Sequence, residues 1–291
     1  MNTDFRCSLD SETRGEALAG SASRADRFVL VEFPTPWPKK AIEVFDDEIR
    51  PALEAAAGVV RAKVLLIRRH AHRTGNVRRW AVADARARRI TWGTWEAQAD
   101  LHALIDTVGA DSSGWSDEPV ILVCTHALHD TCCGVRGRPV AAALTESHGD
   151  RVWEASHVGG HRFAGNAVLP LDGTYYGRLG AHDASEVMAK HLAGEVSADH
   201  LRGFSWMAPA AQAAAVDVLR RWGPASVDAF TSATAEEAGE GRWNIELAAT
   251  PPLPARVTAE VTVSVGPDAR MSCRADPMPT EVFEVVRREA H

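Results

Sequence analysis

The sequence predicts an α/β fold in which two consecutive units share one order of secondary-structure elements and a C-terminal extension follows. Short apolar runs rich in β-branched residues have the length of buried strands. Between them lie segments whose apolar residues recur every three or four positions, as in amphipathic helices. A polar linker at residues 111–118 separates the two units. In each unit the predicted order is strand, helix, three strands and helix.

The first unit is predicted to contain two helices and a hairpin. Its elements are strand 28–33, helix 41–57, strand 62–67, hairpin strands 79–84 and 89–95, and helix 98–108. Pro34 follows the first strand and Gly58 follows the first helix, and both residue types end regular elements. The small polar segment 15–23 is expected to lie as a loop over a larger body.

The second unit repeats this order. Its predicted elements are strand 119–124, helix 138–147, strands 152–156, 166–171 and 174–179, and helix 185–192. This is the element order of thioredoxin-like proteins, so we predict two tandem thioredoxin-like units. The predicted domains are a first unit without ligands at 1–112, a ligand-bearing unit at 113–203 and an extension at 204–291.

The extension has the weakest pattern. It is predicted to contain helix 208–222, a loop at 233–241, and two antiparallel strands at 243–247 and 256–265. Packing against the other units and an adaptor surface are the two roles open to it.

Composition narrows the class of protein. Apolar residues make up 45% of the chain and charged residues 24%, with a net charge of −7, which is ordinary for a globular protein and argues against a nucleic-acid surface. No apolar run approaches the length of a membrane span, and the polar first 27 residues do not resemble a signal peptide. Five unevenly spaced cysteines predict metal ligands in a reducing, cytoplasmic location rather than a disulfide framework.

The candidate ligands cluster in one stretch. Cys124 ends the apolar run 119–124, and Cys132 and Cys133 follow it. His157 and His161 come after the second strand of the unit, separated by Val-Gly-Gly. Two glycines in a row disfavour a helix and favour a tight loop with positive φ, which lets both imidazoles converge on a metal.

The residue types leave the metal open. Thiolates suit zinc, Cu(I) and iron–sulfur clusters, and imidazole suits zinc and iron. Zinc fingers place their cysteines close together, about a dozen residues before the histidines. Here 23 residues lie between Cys133 and His157. Two cysteines and two histidines are also the ligands of a Rieske [2Fe–2S] centre, so spacing alone favours neither metal.

Three motifs together resemble one family. They are C-T-H-A-L-H-D-T-C-C-G at 124–134, H-V-G-G-H-R-F-A-G-N at 157–166 and Y-G-R at 176–178. Over 119–203 this pattern resembles the sucrase/ferredoxin-like family, which is similar to thioredoxin-like ferredoxins. Those ferredoxins ordinarily use four cysteines, and the H-x-G-G-H pair is the mark of a bis-histidinyl branch.

The resemblance implies a [2Fe–2S] cluster and a role in electron transfer. Cys124 and Cys133 would hold the inner iron, and His157 and His161 the outer iron. The family pattern places its second cysteine directly before glycine, which selects Cys133 over Cys132. The chain is then an electron carrier rather than a stand-alone enzyme, and its imidazoles can couple electron transfer to proton transfer. A separate reductase and an acceptor would be its partners, with neither nucleic acid nor membrane involved.

Two other functions remain open from the residues. A structural zinc protein would use the same Cys2His2 set to hold two loops together. A thiol oxidoreductase would use the adjacent Cys132 and Cys133, although a disulfide between neighbours is strained. Cys7 is interpreted as a packing or surface thiol, and Cys273 receives no role.

Several polar residues near the motifs have two interpretations each. His126 and His129 are alternate ligands or plain loop residues, and Asp130 is a helix cap or a hydrogen-bond partner of a ligand. Arg162 and Arg178 either offset cluster charge or bind carboxylates. A basic loop is either a docking patch or a solvated loop. That loop contains Arg68, Arg69, His70, His72 and Arg73.

Overall fold

A computed structural model describes residues 5–70 and 77–291 and has two sheets. The strands are β1 Arg27–Glu32, β2 Ala62–Arg68, β3 Arg78–Asp84, β4 Arg89–Trp95, β5 Ile121–Cys124, β6 Val152–Ala155, β7 Ala167–Leu169, β8 Thr174–Tyr176, β9 Leu201–Phe204, β10 Phe230–Glu237, β11 Arg242–Ala249, β12 Arg256–Arg270 and β13 Pro277–Ala290. The α-helices are α1 Cys7–Thr13, α2 Ile49–Val59, α3 His102–Val108, α4 Thr131–His148, α5 Ala184–Leu192 and α6 Pro209–Trp222. The predicted α/β class is confirmed.

The large sheet has nine strands in the order β4-β3-β1-β2-β6-β5-β7-β8-β9. We call β1–β4 the first half and β5–β8 the second half. In each half the first two strands are parallel, and the remaining two extend the sheet antiparallel on the side of the first strand. Both predicted units therefore contribute to one continuous sheet, and each has the predicted element order.

The halves meet where β2 and β6 pair antiparallel, with Ile67 opposite Ala155 and Arg68 opposite Glu154. Both pairs lie at the C-terminal ends of their strands. The loops that follow β2 and β6 therefore begin close to one another. Each half begins with a parallel strand pair, and in such pairs functional residues gather at the C-terminal ends of the strands.

Strands β1 and β5 are buried on both faces because their alternate side chains enter different cores. In β1, Phe28 and Leu30 belong to a core that continues into the second half, whereas Val29 and Val31 pack with the apolar faces of α2 and α3. This is the two-residue period of a strand. In β5, Ile121 and Val123 likewise pack with α4 and α5.

The C-terminal extension forms a second sheet of four antiparallel strands in the order β10-β11-β12-β13. Its apolar side and the buried face of α6 share one core with the second half. The predicted pairing of 243–247 with 256–265 is confirmed. The predicted loop at 233–241 is wrong, since most of it lies in β10, and β13 was not predicted. Both strands have mostly exposed side chains, so their strand character comes from backbone pairing with β11 and β12.

Two helix predictions need correction. Helix 41–57 is split into a short 3-10 turn at Ala41–Val44 and α2, because the Asp46 side chain accepts the backbone N–H groups of Glu48 and Ile49 and starts a new helix there. Helix 138–147 is part of the longer α4, which begins within the cysteine motif. None of the helices in the described part of the chain is both long and apolar enough to cross a bilayer.

Candidate metal centre

The two predicted cysteine ligands come from a strand end and a helix start. Cys124 is the last residue of β5, buried, and its N–H donates to the carbonyl of Asn166. Cys133 lies in the first turn of α4, which Asp130 begins by accepting the N–H of Cys132 at 2.8 Å. Gly137 lets the helix approach the strand, since a Cβ there would meet the Cys124 carbonyl oxygen at 2.0 Å.

The histidine loop has the predicted conformation. Gly159 and Gly160 have φ values of 101° and 69°, a region that favours glycine. The buried Arg202 donates to the Gly159 carbonyl, and the Asn166 amide donates to the Gly160 carbonyl, both at 2.9 Å. A Cβ on Gly160 would meet the Arg202 guanidinium at 2.2 Å, so the loop fits closely around this side chain.

The structure brings the four predicted ligands together in two overlapping groups. Donor atoms of Cys124, Cys133 and His157 lie within 4.8 Å of one another, as do those of His129, His157 and His161. His157 Nδ1 is 3.9 Å from the Cys133 sulfur, and the centres of the His157 and His161 rings are 4.9 Å apart. The cysteines are buried, whereas both histidines are partly exposed.

His129 enters the site and His126 does not. The His129 ring stacks on His157 with centres 3.8 Å apart, and its Nδ1 is 3.1 Å from the Lys39 carbonyl. His126 is buried edge-on against Trp37. Lys39 and Trp37 both belong to the segment after β1, so the first half supplies a wall of this site.

The ionisation of the site suits metal binding. A hydrogen bond from the Cys133 thiol holds the pKa of Cys124 well below its ordinary value, and the same bond, with burial, raises the pKa of Cys133. Burial, and then the nearby charge of His157, lowers the pKa of His161 to about 4. These shifts favour a thiolate at Cys124 and a neutral imidazole at His161, and metal ligands must be deprotonated in this way.

Whether these residues fit a metal centre can be tested on His161. Its Nδ1 is buried and makes no hydrogen bond among the described residues. Buried polar atoms in proteins nearly always have a partner, so a bound metal would supply the partner that this nitrogen lacks. Two sulfurs and two imidazoles also match zinc and a Rieske-type centre chemically. The residues fit.

These side chains lie in a chain segment that a known family covers. The family model described as sucrase/ferredoxin-like matches residues 18–203, which is more than half of the chain. The chain belongs to the sucrase/ferredoxin-like family. A curated relative, altered inheritance of mitochondria protein 32 from Meyerozyma guilliermondii, is 31% identical over 98 residues. That alignment covers 30% of this chain and 35% of the relative, so the chain spans about a third of that protein's length. No solved structure matches the chain.

The two arginines that flank the motifs bind the N-terminal segment. Arg162 forms an ion pair with Glu16 at 2.6 Å, and Arg178 donates to the carbonyls of Ser11 and Glu16. Of the two interpretations, the carboxylate partner is correct for Arg162. The expected loop at 15–23 does lie over a larger body, since Gln212 of α6 binds both backbone groups of Ala22.

The basic loop is only partly described. Arg68 and His70 both bind Glu154, at 2.8 Å and 2.7 Å, and Arg69 donates to backbone carbonyls and lies over Trp153. These three side chains therefore serve the junction of the halves. His72 and Arg73 lie outside the described residues.

Sequence reasoning missed a second group of side chains. Cys7, Cys132, Cys273 and Asp130 have donor atoms within 4.8 Å of one another. The neighbours Cys132 and Cys133 thus direct their sulfurs into separate groups. Of this group, only Asp130 stands in a recognisable sequence pattern, because Asp130-Thr131 is typical of the start of a helix. Cys7 and Cys273 are 266 positions apart, and only the fold brings them together.

Proposed function

We propose that this protein is an electron carrier whose [2Fe–2S] cluster is held by Cys124, Cys133, His157 and His161. The observation that carries the proposal is the pair of overlapping donor groups that share His157. A single tetrahedral zinc with bonds of about 2.0–2.3 Å needs all four donors within about 3.8 Å of each other. Here His161 groups with His157 and His129, whereas the two cysteines group with His157, so a centre with two metal atoms suits the arrangement better.

Burial supports the division into an inner and an outer side. The cysteine sulfurs lie in the core between β5 and α4, and the imidazoles lie toward the surface. When bound, the cluster accepts and releases one electron. The thiolates place negative charge on the buried side, and the neutral imidazoles on the outer side keep the total negative charge below that of four thiolates. Less negative charge favours a higher potential.

The histidines also offer a place for a proton. An imidazole that binds a metal through one nitrogen carries a second nitrogen that holds or releases a proton. Because both imidazoles are partly exposed, that proton can exchange with water. We infer that proton uptake can accompany electron uptake at this site.

Structural zinc binding is the second candidate function. Cys124, Cys133 and His157 form a compact group of three, and His161 would be the fourth ligand of a Cys2His2 site. This candidate predicts one zinc, no colour and no redox activity.

The scaffold and the partners complete the proposal. The identical strand order of the two halves supports tandem thioredoxin-like units, with the domains divided near residues 112 and 203. We propose a cytoplasmic protein that takes electrons from a separate reductase and delivers them to a separate acceptor. The partly exposed His157 and His161 would lie on the side that faces these partners.

Analysis of the purified metal centre tests the proposal. The full chain, purified without oxygen, should be red-brown and contain about two irons and two acid-labile sulfides. A colourless chain with one zinc that takes up no cluster on reconstitution would contradict electron transfer and favour the structural site.

A further inference from the structure

The second group of side chains joins three distant segments of the chain. Cys7 is the first residue of α1, Cys132 lies in the first turn of α4, and Cys273 lies in the turn between β12 and β13. The Cys273 sulfur is 3.3 Å from that of Cys132 and 3.6 Å from that of Cys7. Asp130 Oδ1 is 3.2 Å from the Cys273 sulfur and 3.6 Å from the Cys7 sulfur.

This group is buried and rich in potential negative charge. Cys7, Cys132 and Asp130 are at most 1% exposed, and Cys273 is partly exposed. Asp130 accepts the backbone N–H groups of Cys132 and Cys273, each at 2.8 Å. Arg136 and Arg162 in the flanking segments are bound to Glu12 and Glu16. The ion pairs of the described residues thus leave Asp130 without a cationic partner.

We propose that Cys7, Cys132, Cys273 and Asp130 bind one zinc ion, separate from the centre at Cys124 and Cys133. Zinc binds Cys sulfurs and Asp or Glu oxygens, and structural zinc sites have four ligands in a tetrahedron. Zinc–sulfur bonds of about 2.3 Å place sulfurs about 3.8 Å apart. The observed sulfur separations therefore need to change by only a few tenths of an ångström.

The surroundings of the Cys132 sulfur agree with this geometry. The sulfur accepts a hydrogen bond from the Ser8 hydroxyl at 3.3 Å. Cys132 also lies at the N-terminus of α4, where the helix dipole favours an anion. Zinc would displace the protons of the thiols that it binds.

A disulfide accounts for less of the arrangement. It would join two sulfurs at about 2.05 Å and leave the third thiol unpaired and the buried carboxylate without a cation. It would also require an oxidant. A metal ion uses all four donors at once and supplies the positive charge that the buried carboxylate lacks.

Zinc here would lie beside the first centre without being needed for it. It would tie α1 and the β12–β13 turn to the first turn of α4, whose next residue is Cys133. The adjacent Cys132 and Cys133 would then serve two metals, one on each side of the helix start.

Metal analysis of single variants tests the proposal. The full chain from cells supplied with zinc and iron should contain one zinc in addition to any iron. Cys273→Ser should lose this zinc and keep its iron, whereas Cys133→Ser should lose its iron and keep this zinc. Asp130→Asn should weaken zinc binding at least tenfold in competition with a chelator. Asp276→Asn, which alters an exposed carboxylate in the same turn, should not.

A measurement on the unaltered chain guards against variants that fail to fold. Removal of zinc by a chelator should make Cys7, Cys132 and Cys273 react together with iodoacetamide, as located by peptide mass spectrometry. The proposal is overturned if the wild type holds no such zinc or if only Cys133→Ser removes it. It is also overturned if the three thiols lack joint protection, or if the purified chain carries a Cys132–Cys273 disulfide. Zinc lost only in Cys133→Ser would place zinc at the first centre and would also count against a cluster there, whereas the other outcomes do not concern the iron at the first centre.

Discussion

The two halves of the large sheet have the same strand order and directions, yet only one carries the cysteine and histidine motifs. Read outward from the junction, the first half runs β2-β1-β3-β4 and the second runs β6-β5-β7-β8. The chemistry differs at the ends of the first two strands. β5 ends at Cys124, whereas β1 ends at Glu32, a buried carboxylate that accepts the N–H of Arg79 at 2.8 Å. The scaffold therefore does not determine the site, and a few strand-end residues do.

The first half nevertheless takes part in the site. Its segment after β1 supplies Trp37 against His126 and the Lys39 carbonyl against His129. Its strand β2 supplies Arg68 to the buried Glu154 of β6. A half without ligands thus acts as the wall and the anchor of the half that has them. Each prediction below tests one part of this division, beginning with the largest expected effect.

The identity of the second sulfur ligand has the largest effect. Cys133→Ser should abolish or severely destabilise the cluster, because its sulfur faces Cys124 and His157. Cys132→Ser is the matched control, since it changes the neighbouring sulfur, which faces Cys7 and Cys273. Iron content and the visible spectrum after anaerobic purification measure the result. A normal spectrum in Cys133→Ser together with its loss in Cys132→Ser would show that the other sulfur is the ligand.

Replacing a histidine ligand by cysteine should change the reduction potential of the cluster. His157→Cys or His161→Cys adds a negative thiolate and should lower the potential by on the order of 100 mV, in the direction of all-cysteine ferredoxins. Reduction makes a bound imidazole hold its second proton more tightly. The wild-type potential should therefore fall by up to about 59 mV per pH unit as pH rises between the oxidised-state and reduced-state pKa values. The cysteine variants should show a weaker slope.

Film voltammetry from acid to alkaline pH measures both effects. A wild-type potential that does not change with pH over the stable range would exclude proton coupling at the histidines. The protein would then be an electron carrier alone.

How far the sequence predicts this site depends on the range of the interactions. Two adjacent glycines are a local sequence signal for positive φ, and the prediction of the histidine loop, which depends on them, is confirmed. The start of α4 was missed, because Gly134, Gly137 and Pro139 are poor helix formers. Glycine is needed in this helix because of a tertiary contact, since Gly137 lies against the backbone of Cys124.

Long-range contacts explain the remaining failures. Strands β10 and β13 have too little apolar alternation to be recognised, and pairing along the sheet creates them. No local pattern connects Cys7 with Cys273, or the segment after β1 with His126 and His129. The sequence thus indicates which residues are chemically suitable, and the fold determines which of them meet.

The ion pair between the halves should have an intermediate effect. Burial alone would raise the pKa of Glu154, but hydrogen bonds from His70 and Arg68 outweigh burial and hold the pKa below its ordinary value. A depressed folded-state pKa means that the carboxylate stabilises the fold above the unfolded pKa, and this contribution is lost as pH falls through the folded pKa. Glu154→Gln should lower the free energy of unfolding at pH 7 by about 1–3 kcal/mol, less than for a fully buried pair because Arg68 is partly solvated.

Urea unfolding of the metal-free chain at several pH values measures this contribution. Below about pH 4.5 the wild type should approach the variant, and the variant should depend less on pH. Glu186→Gln, which removes a surface pair with Lys190, is the control and should change little. Equal stabilities of wild type and Glu154→Gln at pH 7 would show that this pair does not anchor the halves.

The smallest expected effect concerns His129, which contacts the first half on one side and a ligand on the other. Its ring stacks on His157 and its Nδ1 faces the Lys39 carbonyl, and its donor atoms lie within 4.8 Å of those of His157 and His161. His129→Phe keeps an aromatic ring over His157 but removes both nitrogens. If His129 only positions His157, the variant should retain its iron and sulfide. Its reduction potential should then shift by less than about 59 mV, which corresponds to a tenfold change in the equilibrium constant of a one-electron reduction. Voltammetry and iron analysis beside His157→Ala, which should lose the cluster, provide the comparison. A loss of iron in His129→Phe as large as in His157→Ala would make His129 a ligand, and the Lys39 carbonyl of the first half would then orient a metal-bound imidazole directly.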